Sequence, residues 1–386
     1  MRPSIRKTLA ATASAVAMLA MAACGQDAGP AEGGGGEDKA TSVTFGVVGP
    51  KTGDQAQYGE DWQKGFDLAL EELNAEGDVE YKIDFQDSQG QPAQASNIAQ
   101  KFVSDDNIYA AMGDFSSATS MVASPVFQRG ELVQLGITNS HPEFTDTGDY
   151  IFASPVTQAV EGQLQADGAK ALGDKAAVFY LNTDWGITTW DVFEDRAAEN
   201  GLEIVYSSAV EEASTDFKPL LLNAKNAGAD VVYMLTYYKT TSLLVQQAGD
   251  VGLEAEFGAV GSNYSLEFLE LAGDAADGVY MATTFFPASE DPEVKAYVEA
   301  FTEKYGFQPN LFNTYAYDGV KALAKAYEES DGTRQGLRDS LATSSELPSI
   351  VYGTYGFNEE RRIDNPTFRW IQVKDGEFVE VDPLVE

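Results

Sequence analysis

Val43-Thr44-Phe45-Gly46-Val47-Val48 is a short β-branched run stopped by Gly49-Pro50, and it constrains this chain more than any other stretch. Such a run suits a parallel strand covered on both faces. After a loop from Lys51 to Gly59, the residues Trp62, Phe66, Ala69, Leu70 and Leu73 recur at helical spacing. Gly77 closes that helix with a residue that accepts the left-handed conformation. Strand, Gly-rich turn and helix together form the unit of a doubly wound α/β sheet. The loop lies at the carboxyl end of the strand, the edge where open α/β sheets bind small ligands.

The unit recurs. Strands are expected at Tyr81 to Phe85, Ile108 to Met112 and Leu132 to Ile137, with helices from Pro92 to Val103 and through Pro125 to Arg129. A second series begins near Lys175, with strands at Ala176 to Leu181, Glu203 to Ser207 and Asp230 to Leu235. Tyr58-Gly59 and Trp185-Gly186 lie 127 residues apart, Gly77 and Gly201 lie 124 apart, and Ile108 and Val231 lie 123 apart. Three near-constant offsets argue for two lobes of one design and against a single long sheet. Pro287 to Pro292 breaks the second series, and helices from Glu293, around Tyr315 to Tyr327 and around Leu337 follow. The tail alternates as strands, Phe368 to Val373 and Phe378 to Val381.

The first residues address the chain and take no part in the fold. Arg2, Arg6 and Lys7 precede an Ala-rich apolar stretch, Leu9 to Ala20, and small residues then lead to Cys24, the only cysteine. The segment resembles a bacterial lipobox, with Met21 where Leu is usual, so residues 1–24 are expected to be a lipoprotein signal and Cys24 the lipidated residue. Residues 25–41, with the run Gly33 to Gly36, are expected to be a flexible tether. A single cysteine allows no internal disulfide. The formal charge is −36, and removal of three cations and no anions with the signal leaves −39. Such a surface disfavours nucleic acid as a partner.

Candidate binding residues cluster at strand ends. Ser117, with Ser116, sits where a strand enters a helix, so its hydroxyl either takes a ligand carboxylate or caps the helix. Thr138, Asn139 and Ser140 end the next strand. Tyr58, Trp185 and Tyr237 are aromatic residues at further strand ends, suited to wall an aliphatic ligand or to cover a core. Catalytic patterns are missing. There is one histidine, His141, and no GxSxG, GxGxxG or CxxC, while Lys51-Thr52 does not satisfy GxxxxGK[ST]. The expectation is a binder with no metal and no cofactor.

Several short motifs in fixed order carry a family resemblance: Gly49-Pro50-x-Thr52-Gly53 with Tyr58-Gly59, Gly113-x-x-x-Ser117, Pro142-Glu143-Phe144-Thr145, Asp184-Trp185-Gly186, Ala272-Gly273-Asp274-Ala275-Ala276-Asp277-Gly278 and Tyr317-Asp318. From about Val43 to near the C-terminus the chain resembles the type I periplasmic solute-binding proteins of ABC transporters, of the leucine/isoleucine/valine-binding kind. The resemblance implies two doubly wound Rossmann-like lobes joined by three hinge crossovers, near Phe152 to Pro155, Thr284 to Pro287 and Gly353 to Phe357. The lobes would be residues 42–153 with 286–354, and 154–285 with 355–386. It also implies an extracytoplasmic, monomeric receptor, lipid-anchored to the bacterial membrane, that delivers a small ligand such as an amino acid to ABC permease subunits. Ser117, Thr138 or Ser140, Trp185 and Tyr237 (or Tyr238) would contact the ligand. One departure stands out: the family's ammonium-pairing carboxylate aligns with Gly261. Either Asp114 or another acid replaces it, or the ligand is an amide, urea or carboxylate without an ammonium.

Overall fold

The computed structural model describes residues 39–363 and 366–385, so the signal segment, most of the tether and Cys24 lie outside the described residues. Strand β1 (Ser42–Gly49) leads into helix α1 (Ala56–Glu76), followed by β2 (Glu80–Asp87), α2 (Pro92–Val103), β3 (Ile108–Met112), α3 (Ser117–Arg129), β4 (Val133–Gly136) and β5 (Ile151–Ala153). The five strands are parallel in the order β2-β1-β3-β4-β5. Alternation along β1 explains its double cover. Val43, Phe45 and Val47 pack with Trp62 and Phe66 of α1, whereas Val48 joins Ile98 and Phe102 of α2 on the other face.

The chain then builds a second sheet. Helix α4 (Gln158–Leu172) precedes β6 (Lys175–Leu181), α5 (Asp184–Asn200), β7 (Glu203–Val210), α6 (Lys218–Ala227), β8 (Val231–Leu235), α7 (Tyr238–Asp250), β9 (Glu256–Val260), α8 (Leu266–Ala272) and β10 (Tyr280–Thr283). Helices α9 (Pro292–Tyr305), α10 (Leu311–Glu329) and α11 (Arg334–Thr343) and the hairpin β11 (Leu347–Ser349) and β12 (Gly353–Tyr355) then return to the first core. Tyr297, Phe301, Leu323 and Leu337 belong to the same apolar cluster as Val43 and Trp62. Finally β13 (Arg369–Lys374) and β14 (Glu377–Val381) close the second sheet antiparallel, giving β14-β13-β10-β9-β8-β6-β7.

Helices α1 and α10 meet at Gly65, where a Cβ would lie 2.1 Å from the Asn313 carbonyl oxygen. Only glycine lets the two backbones approach so closely. Asn313 and Asn310 donate to the Asp61 carbonyl and carboxylate at 2.8 and 3.2 Å, which ties the start of α10 to α1.

Two expectations need correction. Gly77 ends α1 in an extended conformation (φ −102°), whereas Gly201, its counterpart after α5, is left-handed (φ 77°). The third crossover does not fall at Gly353 to Phe357. Ala153 pairs with Arg362, whose buried guanidinium donates to the carbonyls of Asn139, His141 and Pro142, and Ile363 is buried in the first core. These bonds hold the chain on the first sheet until Ile363, and the passage to β13 follows.

In both sheets the order reverses beside the first strand of its series, between β1 and β3 and between β6 and β8. The strand carboxyl ends flanking such a reversal diverge and leave a crevice. The loops that leave them carry Lys51 to Gln55, Asp114 to Ser116, Asn182-Thr183 and Thr236-Tyr237. This geometry places the site.

Candidate functional site

A cavity of about 330 Å³ lies between these two crevices and draws its lining from both sheets. Its size suits a ligand of a few to a dozen or so heavy atoms. The first-sheet wall is the start of α3. Ser116 is the N-cap in extended conformation, and no side chain caps the helix. The first-turn N–H groups of Ser117, Ala118 and Thr119 are left for a ligand, with the helix dipole favouring a negative group. Ser117 lines the cavity and its Oγ accepts weakly from the His141 N–H at 3.4 Å.

Thr138 and Ser140 both line the cavity, so the structure does not force a choice between them. The Thr138 hydroxyl donates to the Phe115 carbonyl at 3.0 Å, which leaves its lone pairs as acceptors. Asn139, between them, points away and is fully buried. Its Nδ2 donates to the Asp114 carbonyl and to Ser120 Oγ, both at 3.0 Å. It braces the loop and does not meet the cavity.

Asp114 is likewise a brace. It is absent from the cavity wall and fully buried, with the Ser88 hydroxyl and the Ser116 N–H donating to its carboxylate. Burial raises its pKa to about 6 against the pull of those donors. Its oxygens are occupied in holding the β3–α3 turn, so it does not replace the acid missing at Gly261.

The aromatic residues divide in the same way. Trp185, on the first turn of α5, and Tyr237, the N-cap of α7, line the cavity and stack on each other at 4.8 Å. Tyr58, on the first turn of α1, stands behind them. It stacks on Phe115 at 4.1 Å and meets Tyr237 edge-on at 5.5 Å. Tyr237 thereby packs against both apolar cores. Tyr238 does not line the cavity.

Several lining residues escaped the sequence reading. Leu311, Phe312 and Tyr315 come from the start of α10, whose return to the first sheet no local pattern reveals. Glu161, in the first turns of α4, is a further omission. In sequence it passes for an ordinary acid near a helix start, because Thr157 caps α4. In the fold it lines the cavity half-buried, its carboxylate has no hydrogen-bond or ion-pair partner among the described residues, and desolvation pushes its pKa up to about 7. Glu212 also lines the cavity; burial raises its pKa, Asp54 adds to this and Lys239 opposes it.

Gly261 lines the cavity too, and its packing accounts for the missing side chain. A Cβ built there would sit 2.2 Å from the Ala282 carbonyl oxygen and 3.0 Å from Thr283 Cα. The end of β9 runs so close to the end of β10 that no carboxylate can be attached without moving a strand.

The fold is matched in known proteins. The chain belongs to the periplasmic binding protein family. That family's model matches residues 42–377. The Leu/Ile/Val-binding protein homolog 1 of Brucella abortus (strain 2308) is 28% identical over 349 residues, spanning 87% of this chain and 92% of that relative. Among solved structures, the branched-chain amino acid transporter substrate-binding protein of Streptococcus pneumoniae, in complex with isoleucine, is similar with a TM-score of 0.80 at 21% identity. The match covers 88% of this chain and all of that one. A solute-binding protein from R. palustris in complex with benzoate is similar with a TM-score of 0.81 at 17% identity, over 89% of this chain and 96% of that one. These likenesses give the family and the type I binding-protein fold. Members of the family bind solutes outside the cytoplasm, and no helix of the described residues is long and apolar enough to cross a membrane. No cluster of metal-ligating side chains occurs among the described residues.

Proposed function

We propose that this chain is the substrate-binding lipoprotein of an ABC importer and that it captures an amino acid, with branched-chain side chains the first candidates. The observation that carries this reading is the pairing of two unlike walls in one cavity. An uncapped helix start with Ser117, Thr138 and Ser140 faces a wall of Trp185 and Tyr237. The first suits a carboxylate and the second an aliphatic chain. Two lobes, residues 42–153 with 286–363 and 154–285 with 366–385, close on the ligand, and the closed form presents both to the permease. Cys24 carries the lipid anchor, the receptor works as a monomer, and it releases its ligand chemically unchanged.

A second reading, a receptor for an aromatic or short carboxylate, amide or urea, draws on the benzoate complex of the R. palustris protein. The acids in the cavity count against a lone anion. Calorimetric titration of the mature protein with the twenty amino acids and with benzoate, acetamide and urea tests the proposal. A micromolar or tighter amino-acid ligand supports it. Binding only of benzoate, acetamide or urea selects the second reading, and conversion of a ligand to product refutes both. Ser117→Ala and Tyr237→Ala check the placement, and unchanged affinity in both variants refutes it.

A further inference from the structure

We propose that Glu161 is the cation-holding group of this site, so that the ligand is a zwitterion whose ammonium docks on α4 while its carboxylate docks on α3. This assignment rests on the proposed role of the cavity as the ligand site and names the chemistry that selects the ligand there.

The charge inventory of the cavity comes first. Asp54, Glu161, Asp184 and Glu212 contribute to its lining, and no Lys, Arg or His does. The four acids are not equivalent. Asp54 and Asp184 are exposed, and Glu212 has Lys239 nearby to offset it. Glu161 is half-buried, and its carboxylate has no protein partner among the described residues. Buried ionisable groups in folded proteins are otherwise paired, because an unpaired one is costly to hold. A carboxylate left unpaired in a ligand cavity has its partner in the ligand.

Neighbouring groups sharpen the choice. The residues that sense the charge of Glu161 are Tyr233 from β8, Tyr237 at the start of α7, Tyr315 from α10 and Tyr352 from the loop between β11 and β12. None is cationic, and Tyr233 has a buried hydroxyl with no partner. An ammonium entering this corner gains the carboxylate beside Tyr237 and Tyr315, aromatic side chains that line the cavity. The hydroxyl of Ser262, which also lines the cavity, is likewise buried without a partner and supplies a further acceptor. Gln158, one turn before Glu161, donates to the Trp185 carbonyl at 2.6 Å and to Thr189 Oγ1 at 2.7 Å. The start of α4 is thereby fixed to the start of α5, and Glu161 is held in register with the aromatic wall. Opposite, the α3 N-terminus attracts a negative group. A molecule carrying both charges satisfies both walls, and benzoate satisfies one.

The experiment is calorimetric titration of the mature protein, its Glu161→Gln variant and its Glu161→Asp variant. Each receives L-leucine, 4-methylpentanoate (leucine without its amino group), the other amino acids and benzoate. The wild type is expected to bind an amino acid and to bind its deaminated counterpart at least 100-fold more weakly. Glu161→Gln should lose about 100-fold in amino-acid affinity, the scale for removing one partner of a buried charge pair. Glu161→Asp, which retains the charge on a shorter arm, should recover part of that loss and serves if the Gln variant fails to fold. Titrations in two buffers of different ionisation enthalpy should show proton release in the wild type as the acid ionises, and none in Glu161→Gln. Unchanged amino-acid affinity in Glu161→Gln overturns the role of Glu161 and leaves the receptor reading standing. Wild-type binding of 4-methylpentanoate as tight as that of leucine overturns the zwitterion. Binding of none of these compounds refutes the amino-acid receptor and this assignment with it.

Discussion

Replacing Glu161 by Gln should make the empty protein more resistant to unfolding at neutral pH, even as it removes ligand affinity. The carboxyl group has a pKa of 4.5 in an ordinary setting and about 7 in the fold, with burial as the cause. Because the folded value is the higher one, the folded state holds its proton more tightly than the unfolded chain does. The contribution is fully present below pH 4.5 and is lost as pH rises through about 7. A separation of about 2.5 units corresponds to roughly 3 kcal/mol at full size, and water in the cavity reduces this to about 2. Gln carries no ionisation, so it escapes this loss. Unfolding a chain of this length has an entropy of roughly 0.7 kcal/mol per kelvin, and the gain corresponds to about 3 °C in Tm. The assay is scanning calorimetry of both proteins without ligand from pH 4 to pH 8. Asp61, Asp114 and Asp318, with pKa values raised to about 6, 6 and 7, tilt both profiles in the same direction and cancel in the difference. The difference in Tm should grow in favour of Glu161→Gln across this range. A difference that stays flat with pH would mean that Glu161 is not held in a desolvated corner.

Asp318 accepts from the Ser349 hydroxyl at 2.5 Å and from the Ile350 and Val351 N–H groups at 2.8 and 3.2 Å, so it fixes the loop between β11 and β12. Asp318→Ala should cost about 2–4 kcal/mol in urea unfolding, and a loss under 1 kcal/mol would contradict that role. Gly261→Glu, which restores an acid where the family resemblance places one, should lower Tm without raising affinity, because its Cβ meets the β10 backbone. Cys24→Ala should release the protein from membranes into the medium, and a variant still held in the membrane fraction would refute lipid anchoring.

Much of the fold was legible because βα units announce themselves locally. The β1 run, the spacing of Trp62 and Phe66, and the strand at Ile108 each depend on residues within one element. The offsets between the two series came through because Tyr58 and Trp185 occupy the first turn of a helix beside a reversal point. What failed depended on partners far away. As a glycine, Gly77 accepts a left-handed helix end, but the chain leaves α1 directly towards β2 in an extended form. The third passage between the sheets lies later than the motifs imply because the Ala153 and Arg362 pairing joins segments more than two hundred residues apart.

The site divides along the same line. Ser117, Thr138, Ser140, Trp185 and Tyr237 were legible because strand ends at a reversal point must face the crevice, whatever lies opposite. Asp114 and Asn139 share those strand ends but turn inward, and a sequence does not say which way a side chain at a turn will point. Glu161 was hidden for a different reason. Near a helix start an acid is commonplace, and only its half-burial in the cavity without a side-chain partner among the described residues sets it apart, both properties of the assembled fold. The absence at Gly261 was legible as an absence, yet its cause, the 2.2 Å approach to the Ala282 carbonyl, lies on another strand. The two facts belong together. Where β9 and β10 close on each other, the wall of the cavity can hold no acid at the end of β9, and α4 presents one to the same cavity. If an ammonium must be neutralised in this cavity, the requirement falls on charge in its lining and not on a particular position in the chain. An alignment column that turns to glycine therefore does not by itself remove the ligand's amino group.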